Sequence, residues 1–203
     1  MSHLEKKVAL VTGASRGIGK TIALNLATQG ATVVINYSTS KALADEVVEE
    51  VRSLGSQAMS IQTDVSDYDQ VKNMLQQTVN SFGSIDIFVN NAGMAKDNLI
   101  FNMTPDEWQR VMDINCGGVF NCTKASMEYF MAKRDGVIVN ISSVMGERGW
   151  IGESNYAASK GAINAFTRCS TVELARLGVR VNAVMPGFCP TELVSGLMAK
   201  DGG

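Results

Sequence analysis

Soft ligands, proline and charge of one sign are all scarce in this 203-residue sequence, which has three prolines, four cysteines and one histidine. Cys116, Cys122, Cys169 and Cys189 form no Cys-x-x-Cys pair and have only His3 for company, whereas a structural zinc site needs about four well-spaced Cys or His ligands. No metal site and no disulfide framework is expected, and the cysteines read as small buried hydrophobes or reduced thiols. No apolar run reaches the roughly 18 residues that span a bilayer. The stretch Val8-Ala9-Leu10-Val11 is too short for the core of a signal peptide. A cytoplasmic protein without membrane attachment is expected. Eighteen basic against 20 acidic residues leave a formal charge of −2, so nothing marks a surface for nucleic acid.

What the chain does have is regular alternation. Short apolar or β-branched runs, Val8 to Val11, Thr32 to Ile35, Ala58 to Ile61, Ile85 to Val89, Val137 to Ile141 and Val179 to Val184, read as buried strands. Between them, apolar residues recur near the helical period: Ile18-Ile22-Leu26, Leu43-Val47-Val51-Leu54, Val71-Leu75-Val79-Phe82 and Ile163-Phe166-Cys169-Val172. Strands alternating with amphipathic helices predict an α/β, doubly wound, mostly parallel sheet with helices on both faces. No linker divides the sequence, so residues 1–203 are expected to form one domain. Gly30 and Gly55 stand where helices need left-handed C-caps. Thr104-Pro105-Asp106-Glu107 opens a long helical segment toward Arg134 with an N-cap, a first-turn proline and two acids. Gly117-Gly118, inside that segment, predicts close packing.

The first strand runs into Thr12-Gly13-Ala14-Ser15-Arg16-Gly17-Ile18-Gly19, just before a helix. Glycines at such a junction let the chain turn and let a phosphate approach backbone N–H groups at a helix N-terminus. The spacing Gly-x3-Gly-x-Gly differs from the standard dinucleotide fingerprint, but its place in a βαβ unit predicts nucleotide binding. The second strand ends in Asn36-Tyr37-Ser38, where an acid would accept from a ribose 2′-hydroxyl. With no carboxylate there, and with Arg16 able to grip a 2′-phosphate, NADP is favoured over NAD. Asp64-Val65 and Asn90-Asn91-Ala92-Gly93 follow the third and fourth strands, on the side where open α/β sheets bind ligands.

Ser142-Ser143 ends the fifth strand, and thirteen residues beyond Ser143 comes Tyr156-Ala157-Ala158-Ser159-Lys160. Tyr156 and Lys160, at i and i+4, share one helical face. A free tyrosine is only about one part in a thousand ionised at pH 7, so acid–base work requires help. A nearby ammonium is expected to lower its pKa.

Together these residues resemble the classical short-chain dehydrogenases/reductases, through Thr12-Gly13-x3-Gly17-x-Gly19, Asp64, Asn90-Asn91-Ala92-Gly93, Asn115, Ser143, Tyr156-x3-Lys160 and Pro186-Gly187. The resemblance implies a Rossmann fold and a catalytic set of Asn115, Ser143, Tyr156 and Lys160. In it Tyr156 donates a proton to the substrate carbonyl and Ser143 polarises that carbonyl. Lys160 lowers the tyrosine pKa and binds ribose, while Asn115 holds a water linking Lys160 to solvent. It also implies NADP(H) contacts from Gly13, Ser15, Arg16, Gly17, Ile18, Gly19, Asn36, Ser38, Asp64, Val65, Asn90, Ala92, Gly93, Tyr156, Lys160, Pro186, Gly187, Cys189 and Thr191. Similar proteins continue through a further helix and a seventh strand, so six strands are expected here. The stretch from Asn90 to Leu99, with Trp108, Asn115 and Val119-Phe120, looks most like 3-oxoacyl-[acyl-carrier-protein] reductases, with acetoacetyl-CoA reductases close behind. That implies a 3-oxoacyl thioester substrate, on acyl carrier protein or on CoA. Reduction of another ketone, and a catalytically silent nucleotide-binding subunit, stay open. Lys133, Arg134, Arg168 and Arg176 read either as a basic rim for an acidic carrier or as scattered cations. A homodimer or homotetramer is implied through the long helices.

Overall fold

The computed structural model describes residues 3–189. Its strands β1 (Val8–Val11), β2 (Thr32–Tyr37), β3 (Ala58–Gln62), β4 (Ile87–Asn90), β5 (Gly136–Ile141) and β6 (Val179–Val184) alternate with helices α1 (Gly17–Thr28), α2 (Lys41–Ser53), α3 (Tyr68–Phe82), α4 (Pro105–Met112), α5 (Gly118–Lys133) and α6 (Ser154–Ala175). The strands form one sheet in the order β3-β2-β1-β4-β5-β6, and every pairing is parallel. Chain order reverses after β3, so a crevice opens beyond the carboxyl ends of β1 and β4.

Each inner strand is buried on both faces because successive side chains alternate. Val8 and Leu10 join a core with Val71, Met74, Leu75, Cys122 and Phe130 from α3 and α5. Ala9 and Val11 join a second core with Ala23, Ala27, Ala44, Val47 and Val51 from α1 and α2. α6 lies on the first face, where its Thr167 hydroxyl accepts from Asn140 of β5.

The helices lie where the period placed them, but two of their buried stripes differ from expectation. On α1 the buried positions are Gly19, Ala23 and Ala27, since small residues let the helix approach the sheet closely; Ile22 and Leu26 pack at the margin. On α6 only Ile163 of the stripe Ile163-Phe166-Cys169-Val172 is buried, while Cys169 is exposed and Val172 is 78% exposed. The buried face is instead Ser159, Lys160, Ile163, Asn164, Thr167 and Ser170. Polar groups are buried there because they bond to β5 and to neighbouring loops. Leu54 is also exposed, at the C-cap of α2.

The segment opening at Thr104 has a full capping box with Glu107. It is not continuous: a wider turn, Asp113–Gly117, separates α4 from α5. Gly118 is tightly packed, since a Cβ there would meet Val65 Cγ2 at 2.7 Å. Gly117 is not, with its nearest neighbour, Met112 O, at 3.7 Å. Gly30 and Gly55 have φ of +89° and +88°, as their C-cap positions require.

Candidate active site

Thr12, the residue after β1, ties two loops together. Its hydroxyl oxygen accepts from the N–H groups of Asn91 and Ala92, both at 2.9 Å. Asn91 Nδ2 returns to the carbonyls of Thr12 and Gly13. The glycine turn is thereby pressed onto the loop after β4, and two glycines leave no room for a side chain. A Cβ on Gly13 would lie 2.9 Å from Ala92 Cα, and one on Gly19 would strike Asn91 Nδ2 and Gly13 O. Gly13 also has φ +61°, which disfavours any residue with a side chain.

Beyond this junction lies a cavity of about 690 Å³. One end is bounded by Gly13, Ser15, Arg16, Gly17, Ile18 and Gly19, with Asn36 and Ser38 of the β2 end and Asp64 and Val65 of the β3 end. Its middle and far end carry Ala92, Gly93, Ser143, Tyr156, Lys160, Pro186, Gly187 and Cys189. The lining thus gathers residues scattered over most of the chain. Two expected contacts sit behind the wall. Asn90, buried beneath it, donates to Asn140 Oδ1 at 2.8 Å, because a side chain at that strand position points into the helix-covered face. Asn115 is fully buried. Thr191 falls outside the described residues. Asn36 does line the cavity, but its amide faces the loops, accepting from Gly13 N and donating to Thr63 O.

At the far end, α6 presents Tyr156 and Lys160 one turn apart, and Ser143 faces them from the end of β5. Ser143 Oγ accepts from Met145 N at 3.1 Å. Lys160 is 4% exposed and donates to Ile141 O at 2.8 Å, with its ammonium 5.5 Å from the Tyr156 ring centre. Burial lowers the Lys160 pKa to about 8. The Tyr156 hydroxyl differs from expectation: burial pushes it above its ordinary value, Ser143 pulls it down, and the Glu153 and Asp97 carboxylates push it up again. The Lys160 ammonium, 5.5 Å from the ring centre, does not reverse these effects.

Asn115 occupies the wide turn between α4 and α5. Its Oδ1 accepts from Met94 N at 2.8 Å, and its Nδ2 donates to Met94 O and Ser159 Oγ, both at 2.9 Å. The amide clamps the loop after β4 to α6, next to Lys160. Gly93 makes the approach possible: a Cβ there would lie 3.2 Å from Asn115 Oδ1 and 3.5 Å from Lys160 Nζ.

Cavity residues not anticipated include Asn91, Arg110 and Ile114. Asn91 stood inside a motif already singled out, but nothing in the spacing marked Arg110. Lys133, read either as part of a carrier-facing rim or as a scattered cation, donates to Ser84 Oγ, Ile85 O and Asp86 Oδ1. Among the described residues no helix is long and apolar enough to cross a membrane.

The cavity suits a dinucleotide. Side chains are excluded where a pyrophosphate would approach the backbone, no acid follows β2, and Arg16, Arg110 and Lys160 line the wall. A family model described as short chain dehydrogenase matches residues 7–202. The 3-oxoacyl-[acyl-carrier-protein] reductase FabG of Staphylococcus aureus is 46% identical over 191 residues, covering 94% of this chain and 78% of that protein. A 3-oxoacyl-[acyl-carrier-protein] reductase of Synechocystis is 45% identical over 200 residues, covering 98% and 81%. Among solved structures, a short-chain type dehydrogenase/reductase from Mycobacterium marinum superposes with a TM-score of 0.93 at 38% identity, covering 97% of this chain and 78% of that one. A putative short-chain alcohol dehydrogenase from Sinorhizobium meliloti gives 0.93 at 33% identity, covering 98% and 78%.

Proposed function

The chain belongs to the short-chain dehydrogenase family, and on that premise we propose that it is an NADPH-dependent reductase of 3-oxoacyl thioesters carried on acyl carrier protein. The observation that carries this reading is the convergence of Ser143, Tyr156 and Lys160 at one end of a cavity whose other end is the glycine turn. The similarity to 3-oxoacyl-[acyl-carrier-protein] reductases supports the choice of substrate.

When bound, NADPH supplies the hydride for the carbonyl carbon. The N–H groups from Gly13 to Gly19 would hold its pyrophosphate, Arg16 and Ser38 its 2′-phosphate, and Asp64 and Val65 its adenosine. Pro186, Gly187 and Cys189, which line the cavity, would flank the nicotinamide, and Lys160 would bind the adjoining ribose. Ser143 donates a hydrogen bond to the substrate carbonyl oxygen and polarises it. Tyr156 transfers its hydroxyl proton to that oxygen. Tyr156 is protonated at neutral pH and so starts as the acid, and its upward pKa shift makes release of that proton harder. Lys160, held by Ile141 O, restores the proton, and Asn115 fixes the loop and helix between which that proton passes. One domain carries cofactor and substrate. It works in the cytoplasm as a homodimer or homotetramer, joined through exposed apolar side chains such as Phe120 and Val172 on α5 and α6.

Following NADPH absorbance with acetoacetyl thioesters of carrier protein and of CoA tests this reading. Tyr156→Phe is expected to lower turnover about 10²- to 10⁴-fold while NADPH binding, followed by fluorescence, persists. A wild-type enzyme inert toward every β-keto thioester would overturn the substrate assignment. Preference for the CoA thioester would overturn the carrier.

A further inference from the structure

Arg110 has no part in the mechanism above. It stands on α4, outside the strands and turns that form the nucleotide end, yet it lines the same cavity as the glycine turn. Its guanidinium reaches the Asp64 carboxylate, Nη2 to Oδ2 at 3.3 Å, and the Ser66 hydroxyl at 3.5 Å. Asp64 is the one carboxylate among the described residues that line the cavity. Its other oxygen accepts from Ser66 N and Ser66 Oγ at 2.9 and 2.6 Å. Burial pushes this carboxyl up, but the Ser66 bonds and Arg110 prevail and hold it below the usual carboxylate range. Asp64 is therefore a fixed negative charge in the wall of a site meant for phosphates, and Arg110 is its counter-charge.

We propose that Arg110 is a coenzyme-selectivity residue: by pairing with Asp64 it cancels the cavity's one lining carboxylate, and so favours the dinucleotide that carries a 2′-phosphate. The proposal rests on reading the cavity as a dinucleotide site. A phosphate monoester carries about −1.5 to −2 charges at pH 7, so NADPH meets more repulsion from an uncompensated Asp64 than NADH does. Exposure of the guanidinium limits the size of the effect, since solvent screens it.

The test compares NADPH and NADH, by fluorescence titration and by steady-state rates, for the wild type and for Arg110→Met, Arg110→Lys and Arg110→Met combined with Asp64→Asn. For Arg110→Met, Kd and KM for NADPH are expected to rise about five- to tenfold and those for NADH about twofold or less. Saturated turnover should change less than either. Arg110→Lys should keep most of the preference, and the double variant should recover the ratio of NADPH to NADH affinity, although loss of the Asp64 contact to adenosine weakens both dinucleotides alike. Equal losses for both dinucleotides in Arg110→Met, no change, or a double variant with a ratio no better than that of Arg110→Met would each overturn the proposal. A wild type that binds neither dinucleotide would overturn the dinucleotide reading itself, and the titration shows this without any substrate.

Discussion

Lys160 is a buried amine whose pKa falls from 10.5 to about 8 because burial penalises the ammonium. Between those values the unfolded chain holds the proton more tightly than the folded one, so this residue's contribution to stability improves as pH rises from 8 to 10.5. Below pH 8 the buried charge costs about 3 kcal/mol, partly offset by about 1 kcal/mol from its bond to Ile141 O. Lys160→Met is expected to be more stable than the parent by about 1–2 kcal/mol at pH 7 while losing activity. The advantage should vanish toward pH 10.5, as read from denaturant unfolding across that range. A variant that is less stable at pH 7 would contradict this account. The Tyr156–Lys160 pair was legible because a four-residue spacing on a helix is a local fact. The Arg110–Asp64 pair was not, since no periodic pattern links a helix residue to a carboxylate 46 positions away.

Elements are joined here by missing side chains as much as by present ones. At the start of α5, Gly118 lies against Val65 of the β3–α3 loop, with 2.7 Å left for a Cβ. Gly118→Ala should destabilise by about 1–3 kcal/mol through overpacking, and Val65→Ala should restore part of that loss; urea unfolding of the two single variants and the double one measures it. The glycine pair was visible in the sequence, but only the packing shows that Gly118, and not Gly117, is the constrained member. Helix faces divide in the same way. The apolar stripe of α3 was read correctly at Val71 and Leu75, where the helix covers apolar strands. The stripe of α6 was read correctly only at Ile163, because that helix buries polar residues against Asn140 and the Ile141 carbonyl and leaves Val172 in solvent.

Across the whole molecule, Asp86 draws three distant parts of the chain together. It accepts from Val8 N at the start of β1, from Lys133 at the end of α5, and pairs with Lys7. Burial pushes its carboxyl up, but Lys133, the Val8 N–H and Lys7 outweigh burial and hold it below its ordinary value. A depressed carboxyl pKa contributes stability above the unfolded value near 3.9, and that stability is lost as pH falls through the folded value. Asp86→Asn should therefore cost about 2–4 kcal/mol at pH 7, and that cost should shrink as pH falls below the unfolded value near 3.9, as followed by urea melts across that range. Strand and helix order, the glycine turn, and the candidate positions Ser143, Tyr156 and Lys160 were determined by the sequence alone, because period, punctuation and short spacing are properties of neighbouring residues. The tertiary structure decided that Lys133 serves Asp86, that Asn90 and Asn115 stand behind the cavity wall, that Arg110 faces Asp64, and that Tyr156 shifts upward. Each of these depends on distance and desolvation between segments that meet only when the sheet is assembled.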